Sequence, residues 1–194
     1  RGIQENKIKV IYHFSSSEES PRPENYNKEI IYTGNLGIPQ NIESFIKNLN
    51  NSSDQYKLKI YGSGSCYEDI KKMESENINV NPYTDRSEIL KQTKNSTFAL
   101  VSLSSSLTVE GFPGKTFDYL KMNKILIGYS NPLSGLARFI EKYNVGINID
   151  PENPDIDSAL NNLKNLDEIY QNIEDVNLKY ANLNTVSQQY LSLL

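Results

Sequence analysis

EIIYTGNLGIPQNIESFIKNLNNSSDQYKLKIYG (29–62) places a stretch of helical period between two short β-branched runs. EIIYTG (29–34) and YKLKIYG (56–62) each read as a buried strand closed by a glycine, Gly34 and Gly62. Between them, NIESFIKNLN (41–50) sets Ile42, Phe45, Ile46 and Leu49 on one face of an α-helix. Strand, helix and strand in this order form a βαβ unit, which requires a parallel sheet.

The alternation continues on the C-terminal side. NINVNPY (77–83), TFALVSL (97–103), KILIGY (124–129) and VGINI (145–149) read as four further strands. CYEDIKKMESE (66–76), SEILKQTK (87–94), PGKTFDYLKM (113–122) and SGLARFIEKY (134–143) read as helices between them. Pro113 is expected in a first helical turn, where its missing N–H has no intrahelical partner, and Ser134 as an N-cap. From Asp155 to Leu194 the chain is polar and helical, with apolar residues at Leu160, Leu163, Leu166, Ile169, Ile173, Val176, Leu178 and Tyr180. The predicted fold is α/β, a doubly wound Rossmann-like parallel six-stranded sheet with C-terminal helices and strand order 3-2-1-4-5-6. Ligands of such sheets bind outside the carboxyl ends of the strands, near the switch point between strands one and four. That rule singles out the loops after Gly34, Gly62, Tyr83 and Leu103.

Upstream, KIKVIYHF (7–14) reads as a separate strand and SSSEESPRPENYN (15–27) as a linker or extended arm. No initiator Met precedes RGIQENKIKV, so the sequence is expected to begin inside a longer protein. The 194 residues suit one sizeable α/β domain, and 37% apolar residues can build its core. A net charge of −4 without a Lys/Arg cluster argues against a nucleic-acid surface. A single cysteine, Cys66, excludes an intrachain disulfide and fits a reducing compartment. No run of about 18 apolar residues is present to span a bilayer. The one histidine, His13, provides neither a catalytic dyad nor a multi-histidine metal site within this chain, and reads as structural.

The least ordinary segment is SSSLTVEGFPGKTFDYL (104–120). Glu110 and Asp118 bracket seven positions that include Gly111, Pro113, Gly114 and Lys115. Glycines let backbone approach a ligand, and a helix starting near Pro113 points N–H groups back at the loop. The arrangement suits a phosphate, to which Lys115 adds positive charge. Each residue also has a plainer reading: Glu110 as a solvated loop acid, Asp118 as a first-turn acid favoured by the helix dipole, Lys115 as a surface lysine. Gly62-Ser63-Gly64 reads as a strand-ending turn rather than a dinucleotide fingerprint, and Asp155-x-Asp157 as a helix cap rather than a metal site.

The spacing Glu110-x7-Asp118 resembles the E-x7-E motif of family-four retaining glycosyltransferases, two-domain enzymes of the B-type fold (GT-B). PGKTFDYL is similar to the form of that motif in transferases of capsule and O-antigen assembly. YTGNLGIPQNIESFI (32–46), LKIYGSGSCYEDI (58–70) and GLARFIEKYNVGINIDPENP (135–154) resemble other segments of the family's C-terminal domain. The resemblance covers roughly residues 29–165. It implies that residues 28–194 form the donor-binding domain with its closing helices, and that 1–27 hold the end of an acceptor domain and the interdomain linker. It further implies that Glu110 hydrogen-bonds a hydroxyl of the donor sugar, and that backbone N–H groups from Phe112 to Thr116 hold the diphosphate. Asp118 would take the ribose, Pro82, Tyr83 and Thr84 would border the base, and Gly34 and Asn35 would lie under the diphosphate, beside the loop after Gly62. Two departures stand out: Asp118 is shorter than the family's Glu, and Asn35 and Gln40 occupy a loop where relatives carry Arg and Lys. Lys115 is then the nearby cation.

The implied partners are a nucleotide sugar, an N-terminal acceptor domain missing from this chain, and a glycan or lipid-linked acceptor. No metal or other cofactor is expected. The implied setting is cytoplasmic, with peripheral contact at the inner membrane face open to the full protein. Two alternatives share the fold: a nucleotide-sugar epimerase and a non-catalytic Rossmann-like binding module.

Overall fold

The structure, a computed structural model, describes residues 11, 15, 19–23, 25–53, 55–111, 113–181 and 183–192. The strand read at 7–14, with His13, and the site residue Phe112 lie outside the described residues. Six strands, β1 (Glu29–Asn35), β2 (Lys57–Ser63), β3 (Ile78–Pro82), β4 (Phe98–Ser102), β5 (Ile125–Tyr129) and β6 (Gly146–Ile149), make one sheet in the order β3-β2-β1-β4-β5-β6. Every pairing is parallel, as the alternating sequence requires. β4 and β5 are buried along their whole length, since helices cover both faces of a parallel sheet.

The helices are α1 (Ile42–Asn50), α2 (Tyr67–Lys71), α3 (Arg86–Asn95), α4 (Lys115–Lys121), α5 (Gly135–Tyr143), α6 (Ile156–Asn161), α7 (Leu166–Val176) and α8 (Leu183–Leu191). α1 buries Ile42, Phe45, Ile46 and Leu49, the stripe read from the sequence. Each such side chain contributes roughly 1.5–3 kcal/mol when taken fully out of water. Asp85 caps α3 by accepting from the Glu88 N–H at 3.0 Å, and Ser134 caps α5 by accepting from Ala137 at 3.1 Å. Asp155 caps α6 through Ser158 at 2.9 Å, while Asp157 accepts from the Ser53 N–H at 2.9 Å and so ties α6 to the end of α1. Both acids of the Asp155-x-Asp157 pair are thus held in structural roles.

Three boundaries differ from the sequence reading. α2 stops at Lys71, because Glu74 turns back to pair with Lys71 (2.8 Å) and to accept from the Val80 N–H (2.8 Å). α4 begins at Lys115 with Gly114 as its N-cap, so Pro113 precedes the helix instead of sitting in its first turn. The Pro113 carbonyl still starts the winding, accepting from the Thr116 N–H at 3.0 Å. After α7 the chain continues as a π-helical stretch, Asn177–Ala181. The wider turn rotates Leu178 out of the apolar stripe to 67% exposure, while Ile169, Ile173 and Val176 remain in the core.

The register aligns Gly34 with Gly62 and Gly62 with Pro82, so the ends of β1, β2 and β3 lie side by side. A Cβ on Gly62 would fall 2.4 Å from the Gly34 carbonyl, a contact no side chain can make. This glycine is demanded by packing at the carboxyl edge of the sheet.

Candidate functional site

A groove of 290 Å³ runs between α3 and α4 and opens at the carboxyl end of β1. α3 contributes Arg86, Ile89, Leu90 and Thr93, and α4 contributes Lys115, Asp118, Tyr119 and Met122. Both sets have the spacing i, i+3, i+4, i+7, which puts four side chains on one helical face. Thr33, Gly34 and Tyr83 complete the lining. The groove therefore brings together four of the residues singled out in the sequence, Gly34, Tyr83, Lys115 and Asp118, at the predicted switch point. It adds Arg86, Tyr119 and the apolar floor of Ile89, Leu90 and Met122, which the sequence reading missed. Their signal was the helical spacing, hidden by mixed polarity along α3.

Lys115 reaches across the groove mouth to β1. Its Nζ donates to the Thr33 carbonyl at 2.6 Å and sits 4.1 Å from the centre of the Tyr32 ring. Burial pushes the ammonium pKa down to about 8, because few solvent dipoles remain to stabilise the charge. Gly34 has a φ of +122°, which disfavours any side chain there, and an added Cβ would come within 2.9 Å of this Nζ and displace it. Tyr32 is buried and its hydroxyl donates to the Asn35 carbonyl at 2.5 Å, which steadies the loop beyond β1.

Asp118 lies one turn further along α4 and accepts a hydrogen bond from the Ser15 hydroxyl at 2.6 Å. Beside it, the Tyr119 hydroxyl accepts from the Thr33 N–H at 2.9 Å, and burial raises its pKa to about 12. Tyr119 thus stays neutral and locks α4 to β1.

Glu110 stands apart from the groove. Its carboxylate is 85% exposed and pairs with Arg138 of α5. Its backbone is held firmly: Gly135 donates to the Val109 carbonyl at 2.9 Å, and any side chain at Gly135 would collide with the Glu110 carbonyl. Gly111 and Gly114 behave differently from Gly62, since an added Cβ at either meets nothing within 4 Å. Packing among the described residues does not demand these two glycines. Thr116 is fully buried, with its N–H turned to Pro113 and its hydroxyl lacking a hydrogen-bond partner among the described residues.

The remaining predicted residues are not part of the groove lining. Asn35 is exposed and donates to the Gln40 side chain at 3.0 Å. The Gln40 oxygen also accepts from the Gly37 N–H at 3.1 Å, so two polar residues close the loop where a cation was absent from the sequence. Pro82 ends β3 and Thr84 follows the exposed Tyr83, just before the Asp85 cap. Cys66 is the N-cap position of α2 and packs partly against the core, which fits its packing role. Among the described residues no cluster of three His, Cys, Asp or Glu is placed to hold a metal ion, and no helix is long and apolar enough to cross a membrane.

No family model matches the sequence, and comparison with curated proteins finds no match. Solved structures do resemble it. TarM of S. aureus, solved with fondaparinux, α-GlcNAc-glycerol and UDP, superposes with a TM-score of 0.64 at 17% identity, covering 97% of this chain and 40% of TarM. The lipopolysaccharide outer core galactosyltransferase WaaB gives 0.68 at 17% identity, over 100% of this chain and 58% of WaaB. The catalytic domain of the Helicobacter pylori cholesterol-α-glucosyltransferase gives 0.59 at 17%, over 79% of this chain and 98% of that domain. The chain thus spans about half the length of TarM and WaaB. At these identities the likeness establishes architecture, and the architecture is the Rossmann-like fold of one half of a GT-B glycosyltransferase.

Proposed function

We propose that this chain is the nucleotide-sugar-binding half of a two-domain, family-four-like glycosyltransferase that extends a cell-surface glycan with retention at the sugar. The observation that carries the reading is the convergence of Gly34, Tyr83, Lys115 and Asp118 on one groove at the carboxyl end of β1. TarM, of the same fold, was solved with UDP, and WaaB is a galactosyltransferase, which makes a nucleoside diphosphate-hexose the first donor class to test.

In this reading Tyr83 faces the base, Asp118 takes the ribose hydroxyls, and the diphosphate lies over Gly34 against Gly111, Gly114 and the start of α4. Charge develops on the leaving diphosphate as the glycosidic bond of the donor breaks. Lys115, desolvated and already positioned, stabilises that charge more than a hydrated surface lysine would. The anion in turn holds Lys115 protonated. The scheme calls for no metal. Glu110 reaches a donor hydroxyl by releasing Arg138, and an exposed ion pair of this kind costs only about 0–1 kcal/mol to break. Residues that position the acceptor come from the partner domain, so the isolated chain is expected to bind donor without turning it over.

The test is a calorimetric titration of the chain with UDP, GDP, ADP, dTDP and their sugar conjugates, beside Asp118→Ala. One base should bind, and Asp118→Ala should weaken it by roughly tenfold. Equal affinity for every base and for the variant would remove Asp118 from the site. No binding at millimolar concentration would overturn the reading for this half.

A further inference from the structure

Asp118, on the wall of the α3–α4 groove, takes its hydrogen bond from a serine 103 positions earlier in the chain. The Ser15 hydroxyl donates to Asp118 Oδ1 at 2.6 Å, a length typical of a bond strengthened by charge. Ser15 is 4% exposed, so water competes little for that hydroxyl, and its single hydrogen goes to the carboxylate.

The serine is itself held in place. Its carbonyl accepts from Lys121 Nζ at 3.3 Å, and Lys121 stands one turn beyond Asp118 on α4. The Ser20 N–H donates to the Lys121 carbonyl at 3.4 Å, and Asn123 Nδ2 donates to the Ser20 carbonyl at 2.6 Å. These bonds fasten Ser15 and Ser20 along α4, and none of Ser20, Lys121 and Asn123 lines the groove. The Ser15 hydroxyl differs from them because it acts on a side chain of the groove wall.

A carboxylate carries about four lone-pair sites on its two oxygens, so it can accept from a serine and from two ribose hydroxyls together. Neighbouring hydroxyls on a rigid sugar ring are received well only by a carboxylate already turned to meet them. We propose that Ser15 is a positioning residue for ribose recognition. Its hydroxyl fixes the Asp118 carboxylate in the orientation that receives both ribose hydroxyls, and thereby makes the groove selective for ribonucleotides over deoxyribonucleotides. The proposal rests on the donor-site reading of Asp118. It gives the segment ahead of β1 a share in a site otherwise built from α3, α4 and the ends of β1 and β3.

The experiment is calorimetric titration of the whole chain with UDP, GDP and ADP, each beside its 2′,3′-dideoxy counterpart. The proteins are the wild type, Ser15→Ala, Asp118→Ala and the double variant. For the base that binds, the wild type should prefer the ribonucleotide by about tenfold. Ser15→Ala should cut that preference by about threefold and leave the dideoxynucleotide affinity unchanged. Asp118→Ala should abolish the preference, and adding Ser15→Ala to it should change nothing further, because the serine acts through the carboxylate. A serine that only fastens the chain to α4 would instead weaken both nucleotides equally, with or without Asp118. That result, or a full ribose preference in Ser15→Ala, would overturn the role of Ser15 while the donor-site reading stands. A wild type without preference, a preference that survives Asp118→Ala, or no binding of any of the three nucleotides would overturn both.

Discussion

Lys115 and Lys124 stand at the two ends of the α4 segment, and burial pulls both ammonium groups down to about 8. By that measure they are alike. Their partners separate them. Lys124 is completely buried, and its Nζ donates to the carbonyls of Lys94 at 3.0 Å and Ser96 at 2.7 Å. These groups terminate α3, so Lys124 acts as a buried C-terminal cap, where a cation also meets the favourable end of the helix dipole. Lys115 donates to one carbonyl, leans on the Tyr32 ring and lines the groove. The same lowered pKa therefore accompanies a joint in the fold at Lys124 and a groove-lining side chain at Lys115.

The comparison can be broken most forcefully at Lys124. Lys124→Met strands two buried carbonyls, and urea unfolding should show a loss of about 2–4 kcal/mol, with nucleotide affinity of the folded protein unchanged. If the variant keeps full stability, the cap assignment fails. Lys115→Met should do the reverse. Nucleoside diphosphate affinity should drop by roughly ten- to a hundredfold, with stability altered by less than about 1 kcal/mol, since a desolvated charge is removed along with its hydrogen bond.

A finer contrast lies between glycines. Gly114→Ala should leave thermal stability within about 0.5 kcal/mol, because its Cβ enters open space. Its nucleotide affinity should fall by about threefold if phosphate approaches that backbone. A last contrast is the pH dependence of stability. Both lysines have folded pKa values below the unfolded value, so between about 8 and 10.5 the unfolded chain holds more protons. Stability should therefore rise as pH climbs through that window, by up to about 3 kcal/mol for each lysine. The part due to Lys124 should vanish in Lys124→Met, and a fall with pH would contradict the assigned directions.

Much of this was legible in the sequence where local pattern governs. The β-branched runs marked the strands, the doubly wound pattern supplied their order, the Ile42 stripe marked α1, and Ser134 marked the cap of α5. Lys115 stood out by its place in the glycine-rich loop before α4, and Gly34 and Asp118 were singled out by the family resemblance together with the switch-point rule. What stayed hidden depends on elements distant in the chain. Arg86, Ile89, Leu90 and Thr93 line the groove only because α3 lies beside α4. The pairing of Glu110 with Arg138 likewise exists only after β5 and α5 are in place. The start of α4 was read two residues too early because Gly114, not a polar side chain, caps it.

The most direct test is calorimetric titration with the preferred nucleoside diphosphate between roughly pH 6.5 and 9.5, in the wild-type chain and in Lys115→Met. The account predicts wild-type affinity that holds to about pH 8 and then declines toward that of the variant as Lys115 loses its proton, while the variant stays weak and flat. Equal affinity in the two proteins, with the same response to pH, would show that Lys115 is only another joint in the fold.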